Sequence, residues 1–198
     1  MLKENRPFLF LLIITSVFGI GAFNFSFVLL SASDLGVDKS VVPLVYAVIN
    51  ISHTFIGIPS GALADRIGKE KVLLLSYLTF LVSSITMFAL SGSSLYAYII
   101  ATVFGVYMGI SETVQRAIIP QYVNQELRGT AFGLFNLIVG SSYFIGNIVF
   151  GLLWDSKGLF YSLTYSIITT IAAMIMMSIF IKKCSPHAHH NCNIYKKV

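Results

Sequence analysis

Apolar positions fall in six runs, at residues 8–30, 41–63, 72–91, 94–115, 129–153 and 158–181. Each reaches the length of a bilayer crossing, which takes about 20 helical residues at a rise of about 1.5 Å each. The breaks carry turn or charge signals: Asp34 to Lys39, Gly61 to Lys71, Ser91-Gly92-Ser93-Ser94, Gln121 to Arg128, and Trp154 to Lys157. Lipid leaves no partner for open backbone, so the runs are predicted to be helices in a bundle. The expected fold is an all-α membrane protein, with six transmembrane helices within residues 1–183 and a flexible tail over 184–198. Lys3 and Arg6 before the first run, with Ser31-Ala32-Ser33 after it, faintly imitate a cleaved leader. The run is too long for a leader core of about 7–15 residues, so it reads as the first span.

The pattern repeats within itself. Gly61, Leu63, Asp65 and Gly68 recur ninety positions on as Gly151, Leu153, Asp155 and Gly158. At the same offset Gly19-Ile20 meets Gly109-Ile110, and Ser76 and Thr79 meet Ser166 and Thr169. Two three-helix units in tandem follow. An odd number of crossings inverts the second relative to the first, and inverted-topology repeats are common in transporters.

Composition agrees: 56% of the 198 residues are hydrophobic and 11% charged, against about a quarter charged in soluble domains. The net charge of +5 raises nucleic acid as a partner. The cations, however, sort by membrane side and are not clustered with stacking aromatics, so no nucleic-acid partner is expected. With the N-terminus inside, eleven cations lie on the cytoplasmic side: Lys3, Arg6, Arg66, Lys69, Lys71, Arg116, Arg128, Lys182, Lys183, Lys196 and Lys197. Lys39 and Lys157 fall outside. This obeys the positive-inside rule and places both termini in the cytoplasm. The second hinge, facing out, has Ser156, Leu159 and Tyr161 where the first has Arg66, Lys69 and Lys71.

Polar residues inside the spans are the candidate chemistry. The second span carries Tyr46, Asn50, His53, Thr54, Gly57 and Gly61 at spacings of three and four, which puts them on one face. The fifth carries Asn136, Gly140, Tyr143 and Asn147; the first adds Asn24 and the fourth Gln115. Such stripes either line a solute path or hydrogen-bond neighbouring helices. His53 near mid-span can carry a proton or bind a solute. Glu112 is read as lying near a helix end, leaving no acid at mid-span and hence uniport, or proton coupling through His53 or a second half. Runs 72–91 and 158–181 contain Ser and Thr but no Asn, Gln, His or charge within the apolar stretch.

The hinge Gly61-Ala62-Leu63-Ala64-Asp65-Arg66-Ile67-Gly68-Lys69 resembles the G-x-x-x-D-R-x-G-[RK]-[RK] motif of the major facilitator superfamily, with Glu70 where a second cation is usual. Asn124 to Gly133 resembles that family's P-x-E-x-R-G-T-A-x-G segment, with Asn124 for the proline, and Gly151-Leu152-Leu153-Trp154-Asp155 adds a third likeness. Together these resemble the C-terminal six-helix half of prokaryotic transporters and cover residues 7–181. The resemblance implies secondary transport of a small solute by alternating access in the plasma membrane. The first, second, fourth and fifth helices would line the path. It also implies a gating charge network of Gly61, Asp65, Arg66, Gly68, Lys69, Glu112, Arg116, Glu126 and Arg128, with Asp65 near a helix N-terminus. Family members have two halves, so a second six-helix half, a homodimer partner or a separate chain, is an expected partner.

Cys184, His187, His189, His190 and Cys192 crowd into nine residues of the tail. Thiolate and imidazole suit zinc, copper or nickel, but the spacing matches no standard finger, so no metal and no cofactor is expected. Cytoplasmic cysteines would stay reduced. No mid-span acid pair, HExxH or nucleophile motif points to an enzyme. The class competing with transport is a non-transporting membrane subunit or transporter fragment.

Overall fold

The structure, a computed structural model, describes residues 6–184. Its helices are α1 (Arg6–Gly21), α2 (Phe25–Asp34), α3 (Val42–Ile67), α4 (Lys69–Ala89), α5 (Leu95–Ile118), α6 (Arg128–Lys157) and α7 (Leu159–Cys184). Short 3-10 turns at Ile119–Gln121 and Gln125–Leu127 join α5 to α6. Taking α1 and α2 as one crossing, six helical segments are long and apolar enough to span a membrane. The protein is an integral membrane protein.

Helices run further into the breaks than the polar signals suggest. The hinge after the second span shrinks to Gly68, and its counterpart to Gly158, because both glycines adopt positive φ (101° and 89°). A side chain would strain that conformation. Each closes the preceding helix in the same way, the Gly68 N–H donating to Ala64 O at 3.1 Å and the Gly158 N–H to Trp154 O at 2.9 Å. Asp65 and Arg66 therefore sit on the last turn of α3, and Asp65 does not cap α4, whose N-cap is Gly68, with no side-chain cap.

Packing follows the repeat. α3 lies along α5 as α1 lies along α6; α4 packs on α5 as α1 packs on α7; α3 touches α4 as α6 touches α7. Exchanging the units converts each pair into the other, and α4 meets α7 across the axis. The closest backbone approaches lie on the two exchanged pairs, α3–α5 and α1–α6. A Cβ on Gly109 would lie 2.5 Å from His53 O, and one on Gly146 would lie 2.5 Å from Gly19 O. Lipid offers little hydrophobic drive between helices, so such backbone approach and ring packing hold the bundle together. Phe18 stacks on Tyr77 with centroids 4.1 Å apart, and Phe23, Phe80, Phe104, Tyr107 and Phe150 continue the cluster.

The first predicted span, 8–30, is not one helix. Regular structure stops after Gly21 and restarts at Phe25, leaving Ala22, Phe23 and Asn24 unwound. An interruption inside a span is tolerated only where other groups replace the lost helical bonds. Here α7 supplies them: the Ser166 hydroxyl donates to Gly21 O at 2.5 Å and the Tyr165 hydroxyl to Ile20 O at 2.7 Å. Run 158–181 is thus more than lipid-facing filler. Its outward side is apolar, while Ser162, Ser166 and Thr170 are fully buried on the other.

Candidate functional site

The unwound segment opens onto a cleft. Asn24 heads α2, and its N–H donates 2.9 Å to Asn147 Oδ1, while Asn147 Nδ2 donates 2.7 Å to Tyr143 O on its own helix. That fixes the amide of Asn147 and ties α6 to the break. The cleft, about 310 Å³, is walled by Phe23, Phe25, Phe104, Tyr107, Met108 and Tyr143, with Asn24, Ser111, Glu112, Gln115 and Asn147 as its polar groups. The Tyr107 and Tyr143 hydroxyls stand 3.4 Å apart, and Gln115 Nε2 donates 2.9 Å to Ser111 Oγ. A second compartment of about 360 Å³ shares Glu112 and Gln115 and adds Arg116, Phe132, Phe135 and Asn136. The two cavities adjoin at Glu112 and Gln115.

Glu112 is the joint between compartments, and this revises its expected place near a helix end. α3 and α5 run parallel in close register, so Glu112 lies level with His53 near the middle of α3: His53 Nε2 is 3.6 Å from Glu112 Oε2, and an Arg116 guanidinium nitrogen is 3.9 Å away. A carboxylate, an imidazole and a guanidinium gathered at one point can exchange partners or a proton. Arg116 is 81% exposed, so its pairing is solvent-screened and weak.

The other candidates divide. Asn24, Gln115, Tyr143 and Asn147 line the first cavity, and Gln115 and Asn136 the second. On α3, Tyr46 packs its ring on Phe25 at 5.1 Å. Asn50 Nδ2 donates to Tyr46 O, and the Thr54 hydroxyl to Asn50 O, so both bond within α3 on an exposed face. Of the charge network, Glu112 and Arg116 pair, whereas Asp65, Arg66, Lys69, Glu126 and Arg128 form no ion pair within 4 Å among the described residues. Gly61 lies over Thr113 of α5, and Gly68 is the hinge itself. The tail candidates His187, His189, His190 and Cys192, and the side chain of Cys184, lie outside the described residues.

Two features escaped the sequence. The aromatic wall from α1, α2 and α5 reads as ordinary apolar span, and only the break turns it toward a cleft. Glu70, read as a departure from a cationic pattern, is 2% exposed and accepts a hydrogen bond from the Tyr122 hydroxyl. It joins the start of α4 to the turn after α5, and Tyr122 in turn packs on Phe180 of α7.

Comparison with known proteins gives this arrangement a family. A model described as Major Facilitator Superfamily matches residues 9–196. Two uncharacterized MFS-type transporters of Methanocaldococcus jannaschii are similar: one is 27% identical over 183 residues, covering 89% of this chain and 45% of the relative. The other is 26% identical over 184 residues, covering 91% and 46%. An uncharacterized protein of Mycobacterium tuberculosis is 28% identical over 141 residues, covering 71% of this chain and 33% of its own length. The chain thus spans less than half the length of the curated relatives it matches. With its inverted three-helix units, interrupted first span and family match along nearly its whole length, the chain belongs to the Major Facilitator Superfamily.

Proposed function

We propose that this chain moves a small solute across a prokaryotic plasma membrane by alternating access, as one six-helix half working with a second. The observation that carries the reading is the pair of adjoining cavities: unwound backbone, amides and one carboxylate gathered at mid-bundle, where lipid-facing helices have no use for them. Coverage of under half of each relative supports a second half as partner. So do the bare faces of α3 and α6, where Phe55 is 78% and Phe144 68% exposed beside exposed Asn50 and Asn136. Apolar residues alone would suit lipid; the asparagines among them favour a protein or water-filled neighbour.

The orientation that follows from the charge pattern puts both termini and the Asp65 turn in the cytoplasm. Asp65, Arg66, Lys69, Glu126 and Arg128 then have partners to find on the second half, as a latch that forms in one conformation and opens in another. Asp65→Asn should cut flux into proteoliposomes while leaving membrane insertion intact; unchanged flux removes the latch. Protons are a coupling candidate through His53 and Glu112. The second reading, a non-transporting subunit or transporter fragment, is favoured by the same short coverage. Native mass in detergent alongside flux separates the two: a twelve-helix assembly with flux supports transport, and a six-helix species with no flux supports the subunit.

A further inference from the structure

The cleft that would receive the solute is chemically one-sided. Its walls are aromatic: the half-buried rings of Phe25 and Tyr143 stand at its surface, backed by the buried rings of Phe23, Phe104 and Tyr107, and among its lining residues Glu112 is the lone charge. No lysine or arginine lines this compartment; Arg116 belongs to the next one. Aromatic faces carry negative potential and attract cations, most strongly where water is excluded, and quaternary ammonium groups are held by rings in this way. The half-exposed Glu112 carboxylate, where this compartment meets the next, adds the matching charge. An anionic solute would meet Glu112 with nothing to offset it, and a neutral one would leave Glu112 to its weak partners.

From this we infer that the cleft takes an organic cation, an amine or quaternary ammonium compound with an apolar body, its charge against Glu112 and its body against the rings; the inference rests on the transport reading for its biological sense but concerns binding alone. The groups facing Glu112 leave room for such a ligand. From α3 comes His53 at 3.6 Å, beyond hydrogen-bond length and uncharged unless protonated; from α5 comes Arg116 at 3.9 Å, with its side chain largely in solvent. From α6 comes the Tyr143 phenol, which carries no competing positive charge. The volume, about 310 Å³, is within the range of ligand pockets, about 300–1,000 Å³.

The test is equilibrium binding of radiolabelled benzyltrimethylammonium to the full chain in lipid nanodiscs. Unlabelled tetraethylammonium, neutral 3,3-dimethylbutanol and benzenesulfonate are the competitors. Tetraethylammonium should displace the label, with the neutral and anionic compounds weaker by about tenfold or more. Glu112→Gln should weaken binding by about tenfold, and Glu112→Asp, which keeps the charge, by less. Phe25→Leu removes a half-buried ring from the rim and should also weaken the cation, whereas Asp34→Asn, far from the cleft, should leave it unchanged. Absence of binding, equal competition by 3,3-dimethylbutanol, or full binding in a folded Glu112→Gln protein each overturns the inference. Cation binding without flux keeps the site and removes the transport reading. Flux of a neutral or anionic solute without cation binding does the reverse.

Discussion

The two three-helix units share their glycines and part company at one level of the bundle. Gly68 and Gly158 make the same turn, and the counterparts Gly19 and Gly109 lie against Tyr143 and His53 on the facing helices. Ninety residues separate counterparts, so the unwound Ala22, Phe23 and Asn24 of the first unit correspond to Glu112, Thr113 and Val114 of the second. Where the first unit breaks its leading helix, the second keeps α5 continuous and places a carboxylate. His53 on α3 likewise corresponds to Tyr143 on α6, and each lies against the glycine of the opposite unit, Gly109 or Gly19. The scaffold is thus duplicated while its chemistry is divided, with the unwound backbone and Asn147 on the α1/α6 side and His53 and Glu112 on the α3/α5 side. Packing requirements are shared by both units; a single passage needs each kind of group once.

The largest expected effect comes from what is shared. Gly146→Leu and Gly109→Leu each put a side chain where a backbone carbonyl lies 2.5 Å from a bare Cβ. Each should lower stability by at least about 1–3 kcal/mol, read as loss of monodisperse protein in detergent. If only one of the two is harmful, the α3–α5 and α1–α6 seams are not packed alike.

Next come the hydroxyls that differ between units. Ser166→Ala frees Gly21 O in a buried site and should cost about 1–3 kcal/mol in thermal unfolding. Its counterpart Ser76→Ala loses only a bond to Leu73 O within α4 and should cost far less. Equal effects would mean that the break needs no support from α7. Smaller again is Asn147→Leu, which removes the acceptor of the Asn24 N–H. About 1 kcal/mol of stability should go, with faster hydrogen exchange at Asn24 and little change at Val114.

The smallest effect lies in the loop between α2 and α3. Ser40 donates to Asp38 Oδ1 from its hydroxyl at 2.5 Å and its N–H at 2.8 Å, and these bonds hold the carboxyl below its ordinary range. A depressed folded value means that the turn is supported above the unfolded value, about 3.9, and loses that support as pH falls through the lower folded value. Protection of the Ser40 amide should therefore persist at pH 5, fade only in more acid solution, lose its pH dependence in Asp38→Asn, and be absent throughout in Asp38→Ala.

Much of this was legible because the signals are local. Spans announce themselves by unbroken apolar length, and the hinge glycines by repetition at one offset. The break was not legible: Ala22 and Phe23 are apolar, Asn24 is a single polar residue, and the Tyr165 and Ser166 that support the opening are far along the chain. Nor was the height of Glu112, since counting from the end of α5 ignores how far α3 extends past it. The pair Gly105 and Gly109 held that information, as small residues one turn apart fix the register of α5 on α3, but only if the partner helix is known. Glu70 shows the limit of charge patterns: a carboxylate among cations at the end of a span reads as exposed, and burial beside Tyr122 is decided by the turn after α5.

Solute transport through this cleft requires it to admit water at the level of the break. In a protein carrying Cys184→Ser and Cys192→Ser, the variants Asn24→Cys and Val114→Cys place thiols at counterpart positions, one exposed in the cleft and one fully buried. Membrane vesicles are then treated with a hydrophilic methanethiosulfonate reagent. Labelling at 24 but not at 114 is expected; equal labelling, or none at 24, contradicts a water-filled passage at the unwound segment.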